Sequence, residues 1–193
     1  MKCITVFCGS SSGNNEIYQA QALLLGQTLA SQNIELVYGG ARVGLMGAVA
    51  DGVLQGGGRV TGVLPRFLQN KELAHAGLSE LILVDTMHER KMRMYELSDG
   101  VIALPGGFGT LEEFFEILTW GQLGLHSKPV GILNIAGFYD PLANLLQNMV
   151  EKGFLKEANR QMLLFSSEIL DLLTQMENYQ PPAVGKWIKS KDI

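Results

Sequence analysis

Two polar clusters in this sequence could do chemistry, and each directly follows a segment that is typical of a buried strand. The first is the run 87–94, with the sequence MHERKMRM, which places Arg90 and Lys91 in the first turn of an expected helix. Cations at that end of a helix oppose its dipole, and a bound anion beside them would compensate the cost. Pairing with Glu89 or with another acid is the alternative, and the sequence leaves both interpretations open.

The second cluster is a glycine-rich loop, residues 105–110 with the sequence PGGFGT, which opens directly into an expected helix. Its glycines allow backbone N–H groups to approach an anion, and the unpaired amides and dipole of the helix start attract one. The hydroxyl of Thr110 would add a donor. The third glycine of a dinucleotide-binding fingerprint would fall at Glu112, and the chain has no Walker lysine motif. The loop therefore favours a mononucleotide or a sugar phosphate.

Glu113 breaks the polar and apolar pattern of the helix that follows this loop. At about 100° per residue, it lies at the edge of the apolar arc between Ile117 and Trp120, whereas Glu112 and Glu116 lie on the opposite face. A partly desolvated carboxylate one turn inside a helix that starts at a phosphate site is typical of a catalytic group. A glutamate that only complements the helix dipole is the alternative.

Two further glycine-rich loops, 9–13 and 39–47, follow the first two expected strands. Loops at the carboxyl ends of parallel strands meet at one edge of a sheet, which is where ligands bind in such folds. We interpret Ser10 as a hydroxyl donor from the first loop and Gly40 as a ligand contact from the second, although turn formation alone would explain either loop. The serines lack the Gly-x-Ser-x-Gly elbow, so a serine hydrolase is not expected.

The expected elements alternate between strands and helices. Strands are predicted over 3–7, 34–38, 59–64, 81–84, 100–104 and 129–135, with a short apolar segment at 161–165, and helices over 16–31, 44–56, 87–98, 109–122, 139–152 and 167–177. This order predicts an α/β fold, a Rossmann-like, doubly wound parallel sheet with helices on both faces. We expect one catalytic domain over 1–178 and a C-terminal extension over 179–193. The stretch 65–80 is either a short helix or a mobile rim over the site.

Composition excludes several classes of protein. With 193 residues, 47% of them apolar, and a net charge of −4, the chain can bury one core and lacks the basic surface that nucleic acid or an anionic membrane requires. The apolar run at the amino terminus is too short for a signal peptide or a membrane span, so a cytoplasmic protein is expected. Two cysteines and three histidines without ligand spacing predict no metal site.

Taken together, the two clusters resemble the paired signature of the "Lonely guy" (LOG) family. The signature residues are Met87-x-x-Arg90-Lys91 and Pro105-Gly106-Gly107-x-Gly109-Thr110-x-x-Glu113. Similarity continues in 38–47 and 120–131, so the resemblance covers roughly residues 2–165.

The resemblance implies a phosphoribohydrolase that cleaves the N-glycosidic bond of N6-substituted AMP, and often of AMP itself, without a cofactor or metal. It implies that Arg90 and Glu113 are the catalytic pair and that the active site lies at the interface of a homodimer. The expected substrate contacts, including those from the loops above, are Ser10, Gly40, Met87, Lys91, Gly106, Gly107, Phe108, Gly109, Thr110 and Thr119. A carrier of a nucleotide or of molybdenum cofactor, without turnover, is the alternative, because fold alone does not give function.

Overall fold

The computed structural model describes residues 1–69 and 74–182. In this part of the chain, seven parallel strands form a sheet in the order β4-β3-β2-β1-β5-β6-β7. The strands are β1 Cys3–Phe7, β2 Glu35–Tyr38, β3 Val60–Pro65, β4 Glu80–Val84, β5 Gly100–Ala103, β6 Val130–Leu133 and β7 Leu163–Ser166. The sheet confirms the predicted α/β class. Of the expected extension over 179–193, residues 183–193 lie outside the described residues.

Helices cover both faces of the sheet, as the doubly wound prediction requires. They are α1 Glu16–Ser31, α2 Gly44–Gln55, α3 Met87–Leu97, α4 Phe108–Leu123, α5 Asp140–Glu151, α6 Glu157–Arg160 and α7 Ile169–Glu177. One core contains side chains from α1, α2 and α7, and the other contains side chains from α3, α4 and α5. The single turn α6 and the 3-10 turn Ile135–Gly137 were not predicted, because they are too short to show a periodicity. The 3-10 turn Arg66–Leu68 lies in the stretch 65–80, for which a short helix was one of the two alternatives.

The central strand shows why this sequence forms a sheet that is buried on both faces. Successive side chains of a strand point to opposite sides. In β1, Ile4 and Val6 therefore enter the core formed with α1, α2 and α7, whereas Phe7 enters the core formed with α3, α4 and α5. All three are at most 2% exposed, so the strand reads as a nearly continuous apolar run.

Close contacts between loops hold the carboxyl edge of the sheet together. Gly9, after β1, donates its N–H to the Pro105 carbonyl at 3.0 Å and accepts from the Leu45 N–H at 3.1 Å. Gly44 adopts a left-handed conformation with φ of +58°, and a Cβ there would lie 2.3 Å from the carbonyl carbon of Ser10. The loops after β1, β2 and β5 therefore form one contiguous rim, at the point where the strand order reverses between β1 and β5.

Candidate active site

A cleft of about 270 Å³ opens at this rim, between the carboxyl ends of β1 and β2 and the first turns of α3 and α4. Six of the residues predicted from the sequence line it: Ser10, Met87, Arg90, Gly109, Thr110 and Glu113. The structure therefore brings together side chains from three separate loops and helix starts. The 3-10 turn in the stretch left open at 65–80 also reaches the cleft, through Leu68.

A capping box fixes the first turn of α3, from which Arg90 projects. The Thr86 hydroxyl accepts the Glu89 N–H at 3.1 Å, and the Glu89 carboxylate accepts the N–H groups of Thr86 at 3.3 Å and Asp85 at 2.8 Å. This arrangement satisfies amides that a helix start leaves unpaired. It also occupies Glu89, the acid that the sequence offered as a partner for Arg90.

The Arg90 guanidinium is buried and anchored to the backbone of two neighbouring strands. Its Nε donates to the Val63 carbonyl at 3.1 Å, and its Nη2 donates to the Gly39 carbonyl at 3.2 Å. Arg90 is only 7% exposed, although a buried charge is costly unless it is paired and hydrogen-bonded. Two carbonyl acceptors and a nearby carboxylate meet that requirement and fix the plane of the guanidinium.

The carboxylate is that of Glu113, one turn into α4. Its Oε1 lies 3.8 Å from Arg90 Nη1, and the side chain of Glu113 is 13% exposed. This distance is an ion-pair contact longer than a direct hydrogen bond between the two atoms. The structure thus places Glu113 in the cleft and not in bulk solvent, as its position at the edge of the apolar arc predicts.

The glycines at the start of α4 differ in what surrounds them. A Cβ on Gly106 would lie 2.1 Å from Thr110 Oγ1 and 2.9 Å from the Gly9 nitrogen, so Gly106 allows the loop to close. A Cβ on Gly107 or Gly109 would meet no atom of the described chain within 4 Å. Gly107 also caps the helix without a side-chain hydrogen bond. The helix start is therefore open to an anionic ligand.

Lys91 is directed away from the cleft and toward the outer face of α4. Its Nζ lies 2.7 Å from Glu112 Oε1 and 2.9 Å from Glu116 Oε2. Burial alone would lower the pKa of Lys91, but the two carboxylates outweigh it and hold that pKa above its usual value. The sequence left pairing with an acid open for this residue, and the structure shows two such partners.

Six predicted contacts do not line the cleft of the described chain; besides Gly106, Gly107 and Lys91, they are Gly40, Phe108 and Thr119. Gly40, in the left-handed region with φ of +82°, packs beside Leu64 and Leu81. Phe108 is 95% exposed at the start of α4. Thr119 is exposed and donates its hydroxyl to the Phe115 carbonyl at 2.7 Å. Their expected contacts with substrate, like those of Gly106, Gly107 and Lys91, remain predictions.

Sequence reasoning missed several residues of the cleft, chiefly Cys8, Gly39 and Met46. A Cβ on Gly39 would lie 2.2 Å from Arg90 Nη2 and 2.9 Å from Met46 Sδ, so Gly39 makes room for the guanidinium. The Gly39-Gly40 pair after a strand was a usable signal. Burial raises the pKa of the Cys8 thiol, and nearby Glu113 raises it further while Arg90 lowers it, so the thiol stays protonated.

Within residues 1–69 and 74–182, no helix is long and apolar enough to cross a membrane. In the same residues, no three His, Cys, Asp or Glu side chains are grouped so that they could hold a metal ion.

Comparison with known proteins identifies the family. A family model described as "Possible lysine decarboxylase" matches residues 46–176. The probable cytokinin riboside 5'-monophosphate phosphoribohydrolase LOGL1 of Oryza sativa subsp. japonica is 50% identical over 176 residues, which are 91% of this chain and 79% of the relative. The cytokinin riboside 5'-monophosphate phosphoribohydrolase LOG2 of Arabidopsis thaliana is 46% identical over 178 residues, 92% of this chain and 84% of the relative.

Solved structures share the fold at lower identity. The molybdenum cofactor binding protein of Rippkaea orientalis superimposes with a TM-score of 0.68 at 23% identity, covering 91% of this chain and 94% of that protein. The molybdenum cofactor carrier protein of Chlamydomonas reinhardtii gives a TM-score of 0.66 at 18% identity, covering 92% and 98%. These likenesses concern the fold alone. On the family model and the relatives that are about half identical, the chain belongs to the LOG family.

Proposed function

We propose that this protein hydrolyses the N-glycosidic bond of adenosine 5'-monophosphates, with or without an N6 substituent, releasing the free base and ribose 5-phosphate. The observation that carries the proposal is the placement of Glu113 beside the buried Arg90, in a cleft at the open start of α4. The names of relatives that are 44–50% identical over nearly the whole chain support the same reaction.

In this proposal the start of α4 holds the 5'-phosphate. Open space at Gly107 and Gly109 lets backbone N–H groups approach the phosphate oxygens, and the helix dipole favours the negative charge. The Thr110 hydroxyl and Ser10, which both line the cleft, are the side-chain donors expected beside it. Binding energy at this remote end of the substrate is then used to place the ribose against Glu113.

Glu113 acts on the bond that breaks. As the bond between C1' and the base nitrogen N9 lengthens, positive charge develops on the sugar, and a fixed carboxylate beside it lowers the barrier. A water molecule oriented by the same carboxylate adds its oxygen to C1'. The electron pair of the broken bond remains on the base, which takes up the equivalent of the proton that the water molecule loses. The products are ribose 5-phosphate and the neutral base, so no co-reactant other than water is needed.

Arg90 has two roles that follow from its surroundings. Its two hydrogen bonds to backbone carbonyls fix the guanidinium, and its third nitrogen faces Glu113 at 3.8 Å. The positive charge orients the carboxylate. Because the guanidinium also lines the cleft, it can contact a ribose hydroxyl or the phosphate of a bound nucleotide.

We further propose that the protein acts as a homodimer with the active site at the subunit interface. Thr119 lies on a surface of α4 outside the cleft of its own chain, so its expected contact with substrate would be made in the cleft of a second copy. Apolar side chains left partly exposed on α3 and α4, such as Met92, are suited to such an interface. The cytoplasmic location, activity on unsubstituted AMP and the absence of a cofactor also remain predictions.

One assay tests the reaction directly. The purified protein is incubated with AMP and, separately, with N6-isopentenyl-AMP, and the products are separated by chromatography. We expect the free base and ribose 5-phosphate to appear in equal amounts. Nucleotide binding without release of base would instead support the alternative of a nucleotide or cofactor carrier, which at present rests on fold similarity below 25% identity.

A further inference from the structure

His75 connects three parts of the chain, although it is not among the described residues that line the cleft. Its backbone N–H donates to the Gly40 carbonyl at 3.0 Å, in the loop after β2. Its ring nitrogen Nε2 lies 3.0 Å from Asp51 Oδ1 on α2, and its Nδ1 accepts the Gly77 N–H at 3.1 Å. The side chain of His75 is 13% exposed, so the ring is largely shielded from water.

The two contacts of the ring show which nitrogen carries the proton. Because Nδ1 accepts the Gly77 N–H, the ring proton lies on Nε2, which therefore donates to Asp51. The ring is thus fixed at both nitrogens, by the turn that follows it and by α2. This also fixes the backbone of His75 and, with it, the N–H group that reaches Gly40.

The loop that His75 contacts also binds Arg90. The Gly39 carbonyl accepts Arg90 Nη2 at 3.2 Å. The next carbonyl in the chain, that of Gly40, accepts the His75 N–H. The following residue, Ala41, forms an antiparallel bridge with the residue that precedes His75. Three consecutive residues after β2 are therefore held in place, the first by the guanidinium and the next two by the segment around His75.

The two adjacent glycines do not fix these carbonyls by themselves. Glycine adopts positive and negative φ with similar ease, and Gly40 is in the left-handed region at φ of +82°. Because neither residue has a Cβ, rotation of the peptide between Gly39 and Gly40 meets less steric resistance than rotation between other residues. Such a rotation would turn the Gly39 carbonyl away from the guanidinium. The hydrogen bond from His75 to the next carbonyl opposes it.

We propose that His75 is a positioning residue, which fixes the loop after β2 and thereby sets the Arg90 guanidinium opposite Glu113. This role rests on the proposed function, because it acts on the catalytic pair. The start of α4, where we place the phosphate, follows β5 and is not part of this series of contacts. Loss of the ring contacts should therefore lower kcat and leave KM for AMP nearly unchanged.

The kinetics of base release from AMP test the proposal. We expect His75→Phe, which keeps a ring but removes both of its hydrogen bonds, to lower kcat by about tenfold with KM within about twofold of wild type. Asp51→Ala removes one of these bonds and should lower kcat by about threefold, whereas Asp51→Asn keeps an acceptor oxygen and should have nearly wild-type kcat. Arg66→Gln is the matched control in the same stretch, because its ion pair with Asp85 is exposed and contributes little.

A double variant distinguishes positioning from a general loss of structure. Gly39→Ala displaces the guanidinium directly, since its Cβ would lie 2.2 Å from Arg90 Nη2. If His75 acts through the same contact, adding His75→Phe to Gly39→Ala lowers kcat by no more than about twofold further, because effects on one shared contact are not additive. Losses that multiply, a raised KM with unchanged kcat, or wild-type kcat in His75→Phe would each contradict the proposal. Should His75→Phe not fold, the difference between Asp51→Ala and Asp51→Asn decides in its place.

Nuclear magnetic resonance separates failure of this proposal from failure of the proposed function. At low temperature we expect resolved Arg90 Nη–H resonances in the wild type, because the contacts with Gly39 and Glu113 restrict rotation of the guanidinium. Loss of these resonances in His75→Phe, but not in Arg66→Gln, would support the positioning role even if the wild type releases no base. Unchanged resonances in His75→Phe would overturn the role even if the wild type releases base from AMP.

Discussion

Two neighbouring residues of α3 meet three glutamates of α4, and the contacts differ in kind. Lys91 lies 2.7 Å from Glu112 and 2.9 Å from Glu116, on the outer side of the two helices. Arg90 lies 3.8 Å from Glu113, inside the cleft, and uses its other nitrogens on backbone carbonyls. The outer contacts join the helices closely, whereas the inner pair remains open to a substrate.

This difference indicates which of the two ion pairs can act on a bound substrate. A lysine held by two carboxylates is neutralised within the chain, and its raised pKa reflects that stabilisation. Arg90 is fixed mainly by carbonyl oxygens, which are neutral acceptors, and its one ion-pair contact, to Glu113, lies in the cleft. We therefore expect the inner pair to control turnover and the outer contacts to control stability.

The largest expected effect is on turnover when the inner carboxylate is neutralised. Glu113→Gln keeps the size of the side chain and removes its charge, so we expect kcat for base release from AMP to fall by about 10²-fold or more, with little change in nucleotide binding. Glu112→Gln is the matched control one residue away, and we expect it to stay within about threefold of wild type. Equal losses in the two variants would contradict the distinction between inner and outer contacts.

The next effect tests how the inner pair is positioned. Gly39→Ala introduces a Cβ 2.2 Å from the place of Arg90 Nη2, so the guanidinium must move and its bond to the Gly39 carbonyl is strained. We expect kcat/KM to fall by about tenfold, the scale of one lost hydrogen bond to a charged group. Gly107→Ala is the control for an effect on folding. Its Cβ would meet open space, so we expect the Tm of this variant to equal that of wild type. Wild-type kinetics in Gly39→Ala would show that turnover does not depend on the contact between the Arg90 guanidinium and Gly39.

The sequence predicts the inner pair better than the outer contacts, for a physical reason. Glu113 departs from the periodicity of its own helix, and Arg90 opposes the dipole of its own helix, so each is detectable locally. The partners of Lys91 depend on how α3 lies against α4, which is a tertiary register. The local sequence pattern indicates that Lys91 could pair with an acid. It does not indicate that Glu112 and Glu116 both contact the lysine.

Most of the fold was also predictable, because alternation between strands and amphipathic helices is a local signal repeated along the chain. Which of the two glycines, Gly39 or Gly40, belongs to the site was not predictable, since only the packed structure shows which one lies against Arg90. The same limit applies to α6, a single turn without periodicity.

Removing the outer contacts should affect stability more than catalysis. Lys91→Met keeps the apolar stem and leaves Glu112 and Glu116 next to each other without their cation, although both retain some exposure to water. We expect a loss of about 1 to 2 kcal/mol, which lowers the Tm of a chain of this size by roughly 2 to 8 °C. Thermal unfolding followed by circular dichroism measures this loss. A fall in kcat as large as that of Glu113→Gln, with an unchanged Tm, would instead place Lys91 in contact with the substrate.

The smallest expected effect concerns the other end of α4 and depends on pH. His126 Nε2 donates to the Ile117 carbonyl at 2.8 Å and its Nδ1 accepts the Lys128 N–H at 3.1 Å, so only the neutral ring satisfies both contacts. Burial lowers the pKa of His126, and nearby Lys128 lowers it further against the opposing effect of the Ile117 bond.

Because the folded pKa lies below the unfolded value of about 6.5, the stabilisation from His126 is complete above that pH and is lost as the pH falls through the folded pKa. We expect the wild-type Tm to fall more than that of His126→Gln between pH 7.5 and pH 5. His88→Gln, at an exposed position, should keep the wild-type pH dependence. If the Tm of wild type and that of His126→Gln change equally with pH, the histidine is not held neutral in the folded protein. The end of α4 is then stabilised by packing alone.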